Sequence, residues 1–217
     1  MKKSNIRVLP ITPWSNTSKW QCKFLPLLVL CLSLSLFGFG EALLLKSQLG
    51  SAPWTVLAQG IAIQTGLNIG LITFMISVFV LLAWIPLKQQ LGLGTLLNIT
   101  IIAVTLGMFD KLLPNIEQLV IQLLFAIFGI ITIGIASALY LTTHMGAGPR
   151  DGLMVGLCQA TGLRVGIIRT LIEGSVCLLG WILGGVVGLA TLLFAFGIGW
   201  VVQYSLVFLT KHYQISN

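Results

Sequence analysis

The residues best suited to chemistry are few, and most lie in the second half of the chain. The stretch Gly146-Ala147-Gly148-Pro149-Arg150-Asp151-Gly152 sets a guanidinium beside a carboxylate directly after a Gly-Pro break. Glycine permits a sharp entry, proline suits the first position of a helix, and an acid in the first turn faces unpaired N–H groups. A helix start of this kind is a partial positive charge. Turned toward a polar space it can hold an anionic group, with Arg150 as a further donor. The competing reading is that the glycines and Pro149 merely turn the chain while Arg150 and Asp151 satisfy each other at a water interface. Gly148, Pro149, Arg150 and Asp151 are candidate substrate-binding residues, and Pro53, Trp54 and Thr55 of SAPWT are their counterparts in the first half.

A second set of charges interrupts otherwise apolar runs. Arg169 and Glu173 are four residues apart and share one helical face, where the plain expectation is an ion pair within the helix and the functional one a polar pathway. Arg164 precedes the same run. Glu41 sits late in the first apolar run, either as a coupling carboxylate or as a partner of Lys46 at the interface. Arg169, Glu173, Arg164 and Glu41 are therefore candidate pathway charges.

The elements that must position these residues are set by composition. Of 217 residues, 57% are hydrophobic and 8% charged, where soluble domains average about 25% charged. Five acids against twelve bases cannot cover a soluble body with a solvated surface, so soluble globular and disordered classes are excluded. The net charge of +7 is concentrated: Lys2, Lys3, Arg7, Lys19 and Lys23 precede the first apolar run. That is a topology signal, not a nucleic-acid one. Cys22, Cys31, Cys158 and Cys177 form no C-x-x-C pair, and neither a disulfide framework nor a metal or cofactor motif is found.

Apolar runs at Phe24 to Leu45, Ile69 to Leu87, Leu91 to Leu113, Leu119 to Thr143, Val165 to Leu183 and Val187 to Leu209 predict six spanning helices. Pro53 to Thr65 and Pro149 to Thr161 predict two half-length helices, re-entrant or short and broken. Residues 1–23 read as a basic tail, with Trp14 and Trp20 on the headgroups. A cleaved signal peptide is disfavoured, because the run from Phe24 is long and no small-x-small site follows. Residues 24–115 and 116–211 read as two membrane repeats. Sliding the chain by 96 residues lays LGSAPWTVLAQGIAIQTGLNIG over MGAGPRDGLMVGLCQATGLRVG, with Gly50, Pro53, Gly60, Gly66 and Gly70 on Gly146, Pro149, Gly156, Gly162 and Gly166. Three crossings per unit would invert the second repeat, and the positive-inside rule fits that reading with a cytoplasmic N-terminus. Glycines spaced by four (66/70, 152/156, 162/166, 180/184) predict close helix packing and would also suit a homodimer.

GAGPRDGLMVGL, TGLRVG and GLATLLFAFGIG, preceded by GSAPWTVLAQG, TGLNIG and GLGTLLN, resemble the bacterial YczE-like integral membrane proteins, which are similar to the wider YitT group. The resemblance covers roughly residues 30 to 205. It implies a polytopic inner-membrane protein and brings no activity, substrate or catalytic residue with it. The first half departs from the motif, with Ala52 for Gly148 and Trp54-Thr55 for Arg150-Asp151.

The motifs sought for hydrolases, metalloproteases and nucleotide-binding proteins are absent, so an enzyme is not expected. The expected function is transport of a small solute or ion through a polar site at the half-helix starts. The alternative is a non-transporting accessory protein that acts through a partner. The bilayer is the common partner of both, and no nucleic acid is expected.

Overall fold

The computed structural model describes residues 9–67 and 69–213. Their elements are α1 (Phe24–Lys46), α2 (Pro53–Thr65), α3 (Ile69–Leu82), α4 (Leu93–Leu112), α5 (Leu119–Leu141), α6 (Pro149–Thr161), α7 (Val165–Ile182) and α8 (Leu189–Tyr213), with no strand among the described residues. Helices α1, α4, α5, α7 and α8 are long and apolar enough to cross a membrane. The expected span at Ile69 to Leu87 is a 14-residue helix, α3, about 21 Å long at the α-helical rise. Beyond it Trp84 and Ile85 bond three residues back, to Leu81 and Leu82, ahead of Pro86, whose ring disfavours helix in the residue before it.

Both half-length helices have the predicted bounds. Each opens on proline at its first position and closes on a left-handed glycine, Gly66 (φ 70°) and Gly162 (φ 74°). The C-cap amides of those glycines bond the carbonyls of Ala62 and Cys158. A left-handed residue without a Cβ ends a helix without strain.

Packing fixes the direction of every element. Leu30 and Leu34 of α1 meet Ala138 and Leu141 of α5, whereas Leu44 meets Ala126, Ile130 and Ile133, so α1 and α5 run antiparallel. They cross through Gly40 and Gly129: a Cβ on the first would lie 3.0 Å from the second's carbonyl oxygen. Contact this close replaces the hydrophobic driving force that lipid removes. Helix α4 lies along α1 through Gly38, beside Thr105 and the Ile102 carbonyl, and α8 lies along α5 through Gly134, beside Val201 and Ile198.

One end of the bundle gathers Lys19, Gly92, Met145, Gly146 and Tyr213. Leu93 N–H bonds the Lys19 carbonyl, Gly94 N–H bonds the Met145 carbonyl, and Trp14 rests on Tyr213. The other end gathers Lys46, Leu49, Asp110 and Gly188. Lys46 pairs with Asp110 at 3.1 Å and Ala190 N–H bonds the Leu49 carbonyl at 2.9 Å. Helix α2 starts beside α7 at mid-height and runs with it to this second end, where Gln64 donates to the Leu183 carbonyl. It therefore returns to the end where α1 finished. Helix α6 does the same at the first end, where Gln89 donates to Gln159.

Positive-φ residues fall at positions 96 apart: Gln48 and His144 (54° and 56°), Gly50 and Gly146 (127° and 117°), Lys88 and Gly184 (54° and 96°). Gly92 N–H bonds Thr95 Oγ1 and Gly188 N–H bonds Thr191 Oγ1, both at 3.2 Å.

Three expectations change. Residues 9–23 are not a free tail, because Trp14 donates to Thr142 Oγ1, Ser15 to the Thr142 carbonyl and Asn16 N–H to the Thr143 carbonyl. Lys2, Lys3 and Arg7 lie outside the described residues. Trp14 is docked on the protein, while Trp20 remains exposed. Of the glycines spaced by four, Gly152, Gly156 and Gly180 pack against Trp84, Leu87 and Leu57 within the chain, whereas Gly66 and Gly162 serve as caps.

Candidate functional site

A cavity of about 330 Å³ opens where α3 and α4 stand apart, and its walls come from seven of the eight helices, α5 lending none, and from the caps of α2 and α6. The opposite side of the bundle has the equivalent helices in contact: α7 and α8 close tightly, with the Cα of Gly199 so near that a Cβ would lie 2.5 Å from the Gly166 carbonyl oxygen. The position 96 residues earlier is Ala103, which lines the cavity instead of closing it. Lining positions also come in such pairs: Ala52 with Gly148, Trp54 with Arg150, Thr73 with Arg169, Ser77 with Glu173 and Asn98 with Phe194.

Five ionisable side chains reach this space: Glu41, Arg150, Asp151, Arg169 and Glu173. Asp151 is the hub. Buried in the first turn of α6, it takes a 2.7 Å charge-assisted hydrogen bond from Arg169 on its Oδ1 and a hydrogen bond from the Tyr140 hydroxyl on its Oδ2. The Tyr140 oxygen in turn accepts the Gly148 N–H at 3.2 Å. The start of α6 is thus tied to α5 and α7, and Trp84 adds a bond from its indole N–H to the Pro149 carbonyl at 2.9 Å. Gly148 itself is pressed on Asn98, whose Oδ1 would lie 2.5 Å from an added Cβ.

Glu173 is 4% exposed and takes a 3.3 Å bond from the Trp54 indole on Oε1, while its Oε2 has no partner among the described residues. Arg150 lies over the Trp54 ring, its Cζ 5.3 Å from the centroid. Among the described residues neither Arg150 nor Glu41 makes an ion pair or hydrogen bond; the two ion pairs there are Arg169–Asp151 and Lys46–Asp110.

The structure therefore redistributes the pairings expected from spacing. Arg169 and Glu173 do not pair within their helix: Arg169 reaches across to Asp151. Arg150 and Asp151 do not satisfy each other, because their side chains leave the helix start in different directions. Lys46 turns to Asp110 and Asn115, leaving Glu41 half-buried in the cavity wall. Gly148, Pro149, Arg150, Asp151, Trp54, Glu41, Arg169 and Glu173 are brought together. Pro53 is buried behind the wall, Thr55 faces away from it, and Arg164 is exposed at the N-cap of α7. Tyr140 and Trp84 were not legible as site residues, since each reads as one more aromatic in an apolar run. Asn98 carried a signal, an amide inside the apolar run of α4.

An all-helical chain with five membrane-length apolar helices and a charged cavity between them is a polytopic membrane protein. It belongs to the family of unknown function DUF6198, whose model matches residues 24–206. The chain is similar to an uncharacterized protein of Haemophilus influenzae, 52% identical over 94% of each chain. It is also similar to the uncharacterized membrane protein YczE of Bacillus subtilis, 28% identical over 87% of this chain and 85% of that one. The uncharacterized protein YyaS of Bacillus subtilis is 27% identical, covering 84% and 92%. No solved structure matches.

Proposed function

We propose that the protein is an inner-membrane transporter or channel for a small solute, built as two inverted repeats, with its site in the cavity at the starts of α2 and α6. The observation that carries this reading is the cavity itself: five ionisable side chains in an apolar bundle, three of them, Glu41, Arg150 and Glu173, without an ion-pair partner among the described residues. Ionisable groups at membrane depth are costly and mark substrate or ion pathways. Helices that start inside the bundle and face a polar cavity recur in secondary transporters.

The duplication is supported by the matching geometry of residues 96 apart, and the inversion by the antiparallel course of α1 and α5, which occupy equivalent places in the two units. Lys19, Lys23, Lys88, Arg164 and Lys211 belong to the first end, which supports a cytoplasmic N-terminus. No catalytic role is assigned to any residue. An accessory protein recruiting a partner through residues 9–23 is the weaker reading, because that segment is engaged by the α5–α6 turn. A homodimer is not part of the proposal, since Gly152, Gly156 and Gly180 are used within the chain.

The test is flux in proteoliposomes loaded with methylammonium, rubidium, acetate or glycerol, comparing wild type with Ser77→Trp, which plugs the cavity without touching its charges. At least one solute leaves faster with wild type than with the plugged variant. Equal, protein-independent release of all four overturns the proposal.

A further inference from the structure

We infer that the cavity binds an amphipathic organic monocation, its charged end at Glu173 and Trp54 and its apolar part against α4. The inference rests on the solute site proposed above and names what that site takes. Its first ground is charge. The Arg169–Asp151 pair is self-neutralising, which leaves Arg150 facing two carboxylates, Glu41 and Glu173. With all five groups ionised the wall is one positive charge short of neutral, in surroundings where an uncompensated charge is expensive.

The second ground is where the shortfall lies. Glu173 is 4% exposed, lines the cavity, and holds one oxygen on Trp54 while the other has no hydrogen-bond partner among the described residues. The Glu173 carboxylate on the indole N–H and a cation over the same ring set an anion and an aromatic face side by side, the two elements that recognise an alkylammonium. Arg150 demonstrates the seat with its own guanidinium, 5.3 Å from the Trp54 centroid.

The third ground is the opposite wall. Ile99, Ile102, Ala103 and Leu106 of α4 carry no polar side-chain atom, and Ile99 is 53% exposed on the flank of that spanning helix. The gap between α3 and α4 therefore leads from the lipid-facing surface to the carboxylates. Amphipathic amines partition into lipid, and this is the side from which they would enter. A volume of about 330 Å³ lies in the range of small-ligand sites.

The test uses the full chain in nanodiscs, with empty discs subtracted, and two probes: benzyltrimethylammonium, whose charge cannot titrate, and phenylacetate, an anion of similar size. Wild type binds the cation. Glu173→Gln weakens that binding at least about tenfold, the loss of one charge-assisted contact. Arg150→Ala tightens it by about three- to tenfold by removing the nearest like charge. The sign of the Arg150→Ala effect decides the matter even if Glu173→Gln does not fold. Phenylacetate binding that Arg150→Ala abolishes would overturn the inference in favour of an anion site. Cation binding no greater than in empty discs, or indifferent to both substitutions, would overturn it as well, the second carboxylate then being neutralised by a proton. Cation binding without flux in any proteoliposome would refute transport and leave the cation seat standing, so the two failures are separable.

Discussion

Replacing Asp151 by Asn removes the counter-charge of Arg169 while keeping size and shape. The guanidinium, 5% exposed and 2.7 Å from the carboxylate, is then left without an anion. Breaking one side of a buried pair costs about 3–5 kcal/mol. The pair lines a cavity that admits water, which places the loss near about 3 kcal/mol by the same reasoning. For a chain of this length about 2–4 °C of melting temperature accompanies each kcal/mol, so Asp151→Asn melts about 6–12 °C below wild type. The assay is thermal unfolding of purified protein at one scan rate, followed by loss of the monodisperse chromatographic peak. The double variant Asp151→Asn, Arg169→Gln removes both charges and recovers most of the loss. If the single variant melts within about 2 °C of wild type, or the double is less stable than the single, the hub role of Asp151 is wrong.

Tyr140→Phe deletes a hydroxyl that donates to Asp151 and accepts from Gly148. It leaves both buried groups short of a bond and lowers stability by about 1–3 kcal/mol in the same melts. Gly180→Ala puts a Cβ 2.5 Å from the Leu57 amide nitrogen and pushes α2 off α7, whereas Gly107, with nothing within 4 Å, accepts alanine. The first loses about 1–3 kcal/mol and the second gains up to about 1 kcal/mol, and equal melts would refute the close crossing. With Cys22, Cys31, Cys158 and Cys177 replaced, single thiols at Gln64 and Ala160, both exposed and 96 apart, report the inversion. A reagent that cannot cross the membrane labels Gln64→Cys on intact cells and Ala160→Cys after permeabilisation; labelling of both from one side refutes it.

Class, element count and punctuation were legible in the residues because they are local. Runs of apolar residues long enough to cross lipid, and proline and glycine at helix starts and stops, act through the backbone of the residues that carry them. The bounds of α2 and α6 followed from Pro53, Gly66, Pro149 and Gly162 alone. The shortening of α3 was local too, since Pro86 stands in the sequence, but an apolar run conceals it. Even the choice of site residues was largely visible, because a charge in an apolar helix stands out against its neighbours.

Which charge meets which was decided by tertiary structure alone. Spacing placed Arg169 beside Glu173 and Glu41 beside Lys46, since sequence reasoning sees only neighbours on one helix. The fold sets the start of α6 against α5 and α7, and there Asp151 offers Arg169 a carboxylate already held by Tyr140. Glu173 is left to Trp54, which arrives from the other half of the chain. The cavity likewise depends on a comparison between distant helices: Gly199 lets α8 close on α7, and the single methyl of Ala103 accompanies the gap between α3 and α4. Side-chain types are carried by the chain, but a pairing or a void exists only once separate helices are packed, because each is a property of the distance between them.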